Sequence, residues 1–217
     1  MNHKISLSYS TLNALINAPH TYINKMSGLT TFETSAMTDG KNAHDITQLH
    51  VSGKKLHPML TEKGLPTFEL VEEKKWDERM RVRFDIDDKY YLTGFLDGAS
   101  PKRLELAEFK FGKVWSAGEF ARLVQWKIYA IGWDKYKKIW FVNAPKDIKL
   151  WNADTIKVYN QTITEADKKD GWDFLHKGIH VIENIREEVG KEMALKKEKG
   201  WTGRSRWCYY NNCPFCV

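Results

Sequence analysis

The order of patterned segments in this chain predicts an α/β fold: a mixed central β-sheet flanked by helices. Three observations predict it. Two helix-patterned segments come first, and a run of strand-patterned segments follows them. A long helical pattern, two more strand patterns and a carboxylate-started helix then complete the chain. With 217 residues, 42% hydrophobic and 29% charged, the chain is long enough to bury one real core and is ordinary for a globular protein.

Taken in order, "LSYSTLNALINAPHTYINKM" carries Leu12, Leu15 and Ile16 at helical spacing behind serine caps. It predicts a helix from about Ser8, bent or broken near Pro19. "SAMTDGKNAHDITQLHV" predicts a second helix from Ser35 to Val51, with Gly53 as its stop. The segment from Thr67 to Phe111 reads as strands, turning at "DIDDKYY" and "GASPKR". "SAGEFARLVQWKIYAIGWDKY" is the strongest helical pattern. Val124, Ile128 and Ile131 form its apolar stripe, and Arg122, Gln125 and Tyr129 mark another face. "KKIWFVNAP" and "TIKVYNQTI" follow as strands. A last helix is expected from Thr164 to about Gly190, and then a Lys-rich solvated end or mobile link.

The net charge of +6 and a pI near 9.0 permit a nucleic-acid partner without requiring one. The Lys run from Lys191 to Lys199 could track a phosphate backbone, although exposed lysines are commonplace. Trp76, Trp115, Trp126 and Trp133 could stack bases, but core packing is the commoner use. No apolar run reaches membrane-spanning length, and "MNHKISLSYS" lacks a signal peptide's apolar stretch. An intracellular, cytoplasmic protein is expected.

Three charged residues interrupt the apolar strands of "GFLDGASPKRLELAEFKFGK": Asp97, Glu108 and Lys110. Alternation along a strand puts Leu104, Leu106, Glu108 and Lys110 on one face and Ala107, Phe109 and Phe111 on the other, which is expected to be core. A hairpin can bring Asp97 beside Glu108. Two neighbouring carboxylates repel unless a proton or cation lies between them. A hard divalent cation such as Mg²⁺ resolves the conflict, and Lys110 would then point at the same phosphate or water. That composition suits hydrolysis of a phosphodiester; the competing reading is a surface hairpin with a Glu–Lys pair. "GKNAHDI" places His44 one helical turn after Gly40, as a candidate nitrogen ligand or a partly buried polar residue. "QWKIY" places Gln125 and Tyr129 one turn apart, where both can donate to a phosphate or to Glu108 and Lys110. His176 and His180 share that spacing without an evident third ligand and read as helix-face residues.

In this order the set resembles the PD-(D/E)XK nuclease superfamily, and within it the RecB-type exonuclease branch that includes CRISPR-associated spacer-processing nucleases. The residues that carry the resemblance are Gly40 and His44 of "GxxxH", Asp97 of "GFLDG", Glu108 and Lys110 of "EFK", and Gln125 and Tyr129 of "QxxxY". The resemblance implies a restriction-endonuclease-like αβββαβ core spanning residues 1–200 as one nuclease domain, with a Cys- and aromatic-rich tail over 201–217 packed on it. It implies that His44, Asp97, Glu108 and the Phe109 carbonyl ligate Mg²⁺ or Mn²⁺. Lys110 would handle the attacking water, and Gln125, Tyr129 and Arg122 would engage the DNA. The implied activity is a metal-dependent deoxyribonuclease, an exonuclease on single-stranded DNA or DNA ends, of the kind phages and mobile elements encode. The rival readings are a structure-specific flap or junction endonuclease, an RNA-processing nuclease, and a non-catalytic DNA- or protein-binding module.

Many members of this branch hold an iron–sulfur cluster on one N-terminal and three C-terminal cysteines. Here "WCYYNNCPFC" supplies Cys208, Cys213 and Cys216, but Ala18 precedes Pro19 where the first cysteine would stand. A [4Fe-4S] cluster wants four ligands, for which His20 is a candidate substitute, and a Cys3His zinc site is also reasonable. The expectation is no cluster, because an incomplete ligand set loses much of the binding energy.

Overall fold

The computed structural model describes residues 4–17, 35–63 and 80–196. The chain runs β1 (Ile5–Leu7), α1 (Tyr9–Asn17), α2 (Ser35–Val51), α3 (Pro58–Glu62), β2 (Met80–Asp85), β3 (Tyr90–Leu96), β4 (Gly98–Ser100) and β5 (Glu105–Phe111). It continues through α4 (Ala117–Ala121), α5 (Val124–Gly132), β6 (Lys138–Ala144), a 3-10 turn (Ile148–Leu150), β7 (Lys157–Thr162) and α6 (Glu165–Lys196). The mixed α/β class is as the sequence predicts. Pro19, His20, Trp76 and the tail with Cys208, Cys213 and Cys216 lie outside the described residues.

The described residues divide into two compact units: 4–17, 84–93 and 172–196 in one, and 35–63, 80–83 and 94–171 in the other. In the first, β1 pairs parallel to β3 with Leu7 opposite Leu92, and the Tyr90 hydroxyl donates to Glu183 of α6 at 2.5 Å. The second holds a four-stranded sheet ordered β4–β5–β6–β7. Its β4–β5 and β6–β7 pairs are antiparallel. The β5–β6 pair is parallel, and parallel neighbours need a crossover, which α4 and α5 supply.

The strands therefore form two hydrogen-bonded sets, β1–β3–β2 and β4–β5–β6–β7, rather than one continuous sheet. The division falls at Asp97, between β3 and β4. Its Oδ2 accepts the Phe109 N–H at 2.7 Å, so a side chain takes a β5 donor that continued strand pairing would have used.

Both faces of the four-stranded sheet are covered. Ala107, Phe109, Val142 and Ala144 join Ala43 and Val51 of α2 in one cluster. On the other face Phe120 of α4 and Trp126 of α5 pack on Phe141, with ring centroids 4.7 and 5.9 Å apart. This corrects the one-sided reading of β5: Leu106 and Glu108 are buried as well as Ala107 and Phe109. The helical crossover from β5 to β6 covers one face, and α2 covers the other.

The predicted long helix after β5 is also corrected. It breaks into α4 and α5, with Leu123 extended between them (φ −67°, ψ 119°). In a continuous helix the Phe120 carbonyl would accept from Val124. Here it accepts from the Leu123 N–H and the buried Trp126 indole, both at 3.0 Å. The other helix ends follow local rules. The α2 helix has the predicted bounds and closes at Gly53 (φ 71°), where Lys54 N–H reaches Leu49 O and Gly53 N–H reaches His50 O. Thr164 caps α6: its hydroxyl accepts from Asp167 N–H while Asp167 accepts the Thr164 N–H. That helix runs past Gly190 to Lys196.

Candidate active site

Three elements of one unit converge where the sheet divides. Asp97 leaves β3 at the division and shares a 2.7 Å hydrogen bond with His44 Nε2 through Oδ1. Its other oxygen holds the Phe109 N–H, so both carboxylate oxygens are fixed. His44 approaches over the α2-facing side of β5, edge-on to Phe109 and Phe111 at 5.6 and 6.3 Å. Glu108 and Lys110 project from the opposite side of the strand. Lys110 Nζ donates to Glu108 Oε1 at 2.5 Å and to Gln125 Oε1 of α5 at 2.8 Å.

Glu108 is only 1% exposed. Burial pushes its carboxyl up to about 7; Lys110 opposes the shift, Asp97 adds to it, and His44 opposes it more weakly. The Oε2 atom of Glu108 is buried with no hydrogen-bond partner among the described residues, which is the costly state for a carboxylate oxygen. Among the described residues, no three His, Cys, Asp or Glu side chains are gathered as a metal site would gather them. His44 and Asp97 engage each other, and Lys110 engages Glu108.

The two donors predicted on the following helix are placed differently. Gln125 holds Lys110. Tyr129, one turn on, lies against Gly94: a Cβ there would fall 2.7 Å from the tyrosine Cε1 and 2.8 Å from its hydroxyl oxygen. Only glycine fits under that ring, which explains the first residue of "GFLDG". Arg122, read from the pattern as sharing a face with Gln125 and Tyr129, instead caps the C-terminus of α4 and is exposed. The helix break removes it from that face. Of the tryptophans, Trp126 is fully buried, Trp115 packs on Phe120 and Trp133 on Tyr136. His176 and His180 are exposed on α6.

No protein-family model matches the sequence, and no curated protein matches it. Solved structures do match. A protein from Eubacterium rectale, provisionally named as an exonuclease, aligns over 96% of this chain and 93% of its own at 10% identity, with a TM-score of 0.50. The chain has a restriction-endonuclease-like fold. An alkaline exonuclease from Laribacter hongkongensis (13% identity, 86% of this chain, 94% of that one, TM-score 0.44) is a more distant likeness. So is a phage-related exonuclease from Haemophilus somnus 129PT (15%, 84% and 97%, 0.41).

This restriction-endonuclease-like fold also enlists residues that the sequence did not single out. Gln48, one turn after His44 on α2, donates to the Asp97 carbonyl at 3.3 Å. The Gly40, His44 and Gln48 spacing of four was legible, but nothing in it pointed to a backbone acceptor 49 positions away. Asn143 of β6 sits opposite Lys110. It donates to the carbonyls of Lys110 and Lys113, both at 2.9 Å, and accepts the Trp115 N–H at 2.7 Å. It thereby fixes the end of β5 and the loop into α4. A polar residue inside "IWFVNAP" was its only signal.

Proposed function

We propose that this chain is a metal-dependent DNA nuclease, an exonuclease on single-stranded DNA or DNA ends of the RecB-type branch. The observation that carries the reading is a pair of clusters on either side of β5, Asp97 with His44 and Glu108 with Lys110 and Gln125, near enough that Asp97 and His44 influence the Glu108 carboxyl. The exonuclease name carried by the Eubacterium rectale protein points the same way.

The donor chemistry fits a hard divalent cation. Two carboxylates, an imidazole and the Phe109 carbonyl suit Mg²⁺ or Mn²⁺, and the buried Oε2 of Glu108 lacks another partner among the described residues. His44, Asp97, Glu108 and Phe109 would hold the ion. When bound, it would neutralise phosphate charge and supply a nucleophile at neutral pH. The chain's own contribution is orientation. Lys110, steadied by Gln125 and Glu108, presents an ammonium to the attacking water and to the charge that develops at phosphorus. Asp97 tethers β5 through the Phe109 N–H, so the spacing of Glu108 and Lys110 is fixed before substrate arrives.

A time course on end-labelled single- and double-stranded DNA with Mg²⁺, Mn²⁺ or EDTA tests the reading. Degradation should need the metal, and Asp97→Ala or Lys110→Ala should lower the rate at least about a thousandfold with the fold retained. Release of mononucleotides or short oligomers would distinguish an exonuclease from a flap or junction endonuclease. Wild-type rates in a clean Lys110→Ala preparation would remove the site assignment. DNA binding without cleavage under either metal would leave a binding module.

A further inference from the structure

Gly40 stands one turn before His44 on α2, and Gly112 stands two residues beyond Lys110. Both face Lys146, two residues past the end of β6. A Cβ at Gly112 would lie 3.0, 3.5 and 3.7 Å from the Lys146 Cε, Cγ and Cδ atoms, and one at Gly40 would lie 3.9–4.0 Å from the same atoms. Gly112 also has φ 117°, a conformation that favours glycine, and its N–H extends the sheet to Ala144 O at 2.9 Å. The lysine stem thus lies in a cradle made by Gly40, on the helix that carries His44, and Gly112, just past the end of the strand that carries Lys110.

Lys146 is exposed, and its ammonium has no hydrogen bond or ion pair with any described residue. Among the exposed lysines of the unit, Lys113 answers to Glu119, whereas Lys41, Lys137 and Lys149, like Lys146, have no ion pair with a described residue; what distinguishes Lys146 is its place over Gly40 and Gly112. A long flexible side chain loses rotamer entropy when it is laid on a backbone groove, and here no carboxylate among the described residues offsets that loss. An anion supplied by the substrate would.

We infer that Lys146 is a phosphate-contacting residue of the site, binding the backbone of the nucleic-acid strand beside the phosphate that Lys110 faces. The inference rests on the nuclease reading and adds a binding residue to it. A lysine acts on phosphate as a point charge, so its contribution is indifferent to base sequence and sensitive to salt.

The test is Lys146→Ala beside Lys137→Ala, an exposed lysine just before the start of β6, at the opposite end of that strand. Affinity for a fluorescent single-stranded oligonucleotide is measured in Ca²⁺ across a range of KCl concentrations, and KM and kcat are measured in Mg²⁺. Lys146→Ala should weaken binding about 3- to 10-fold near 100 mM salt and reduce the slope of log K against log salt by about 0.7. KM should rise more than kcat falls, Lys146→Arg should restore most of the affinity, and Lys137→Ala should change neither slope nor KM. An unchanged slope in Lys146→Ala, or equal losses in both alanine variants, would overturn the assignment while wild-type cleavage left the nuclease reading standing. A wild-type protein that neither cuts nor binds DNA would overturn both.

Discussion

Glu108 is the residue on which stability and chemistry pull apart. Its carboxyl ordinarily titrates near 4.5, and in the folded chain it is pushed up to about 7, first by burial. A carboxyl raised on folding binds its proton more tightly in the native than in the unfolded state. Native stability therefore falls as pH rises from about 4.5 to about 7, and the loss is complete above that window. Glu108→Gln removes the buried charge and nearly keeps the shape. In EDTA, the variant should melt at the wild-type temperature near pH 5 and higher than wild type above pH 7, by a few degrees for about each kcal/mol relieved. Calorimetry or circular dichroism at the two pH values reads the difference. The same variant should lose cleavage, because it surrenders a carboxylate oxygen that the proposed cation needs.

At the scale of elements, the break between α4 and α5 decides which residues line the site. Apolar periodicity runs unbroken through "FARLVQWKIY", and neither Gly nor Pro interrupts it. The competing partner is a side chain six residues on from the carbonyl it takes: Trp126 Nε1 donates to Phe120 O. Trp126→Phe should keep the packing on Phe141 and lose that hydrogen bond, at a cost of about 1–2 kcal/mol. Urea denaturation measures the loss. An additional drop in cleavage at temperatures where the variant stays folded would show that the break positions Gln125 against Lys110. The start of α6 is tied to the same helix, since Lys127 meets Asp167 at 3.3 Å and Asp170 at 2.6 Å.

At the scale of the whole molecule, the proposed cation is a folding ligand as well as a reactant. Anything that binds the native state alone stabilises it by mass action, about 2.7 kcal/mol at a hundred times its dissociation constant. Saturating Mg²⁺ should therefore raise the melting temperature by roughly 5–10 °C for a chain of this size, and Asp97→Ala should abolish the rise. Calorimetry with and without Mg²⁺ checks it independently of any DNA assay. No helix among the described residues is long and apolar enough to cross a membrane.

The sequence by itself determined the class of the fold, the bounds of α2 and the pairing of chemistry with strand ends. Those features are local: caps, periodicity and a glycine stop act within a few residues. It also singled out Asp97, Glu108 and Lys110, because charge in an apolar strand is costly and therefore visible, and His44 and Gln125 by their one-turn helical spacings to Gly40 and Tyr129. Only the tertiary structure decided that the sheet divides at Asp97, that Glu108 is buried on a second covered face, and that Arg122 leaves the helix face of Gln125. The contacts of Gln48 and Asn143 were likewise hidden, because each donates to a backbone carbonyl distant in sequence, and so was the seating of the Lys146 stem against Gly40 and Gly112. Periodicity reports which face of an element is apolar. It does not report what covers that face, or which distant carbonyl, amide or glycine a side chain will meet there.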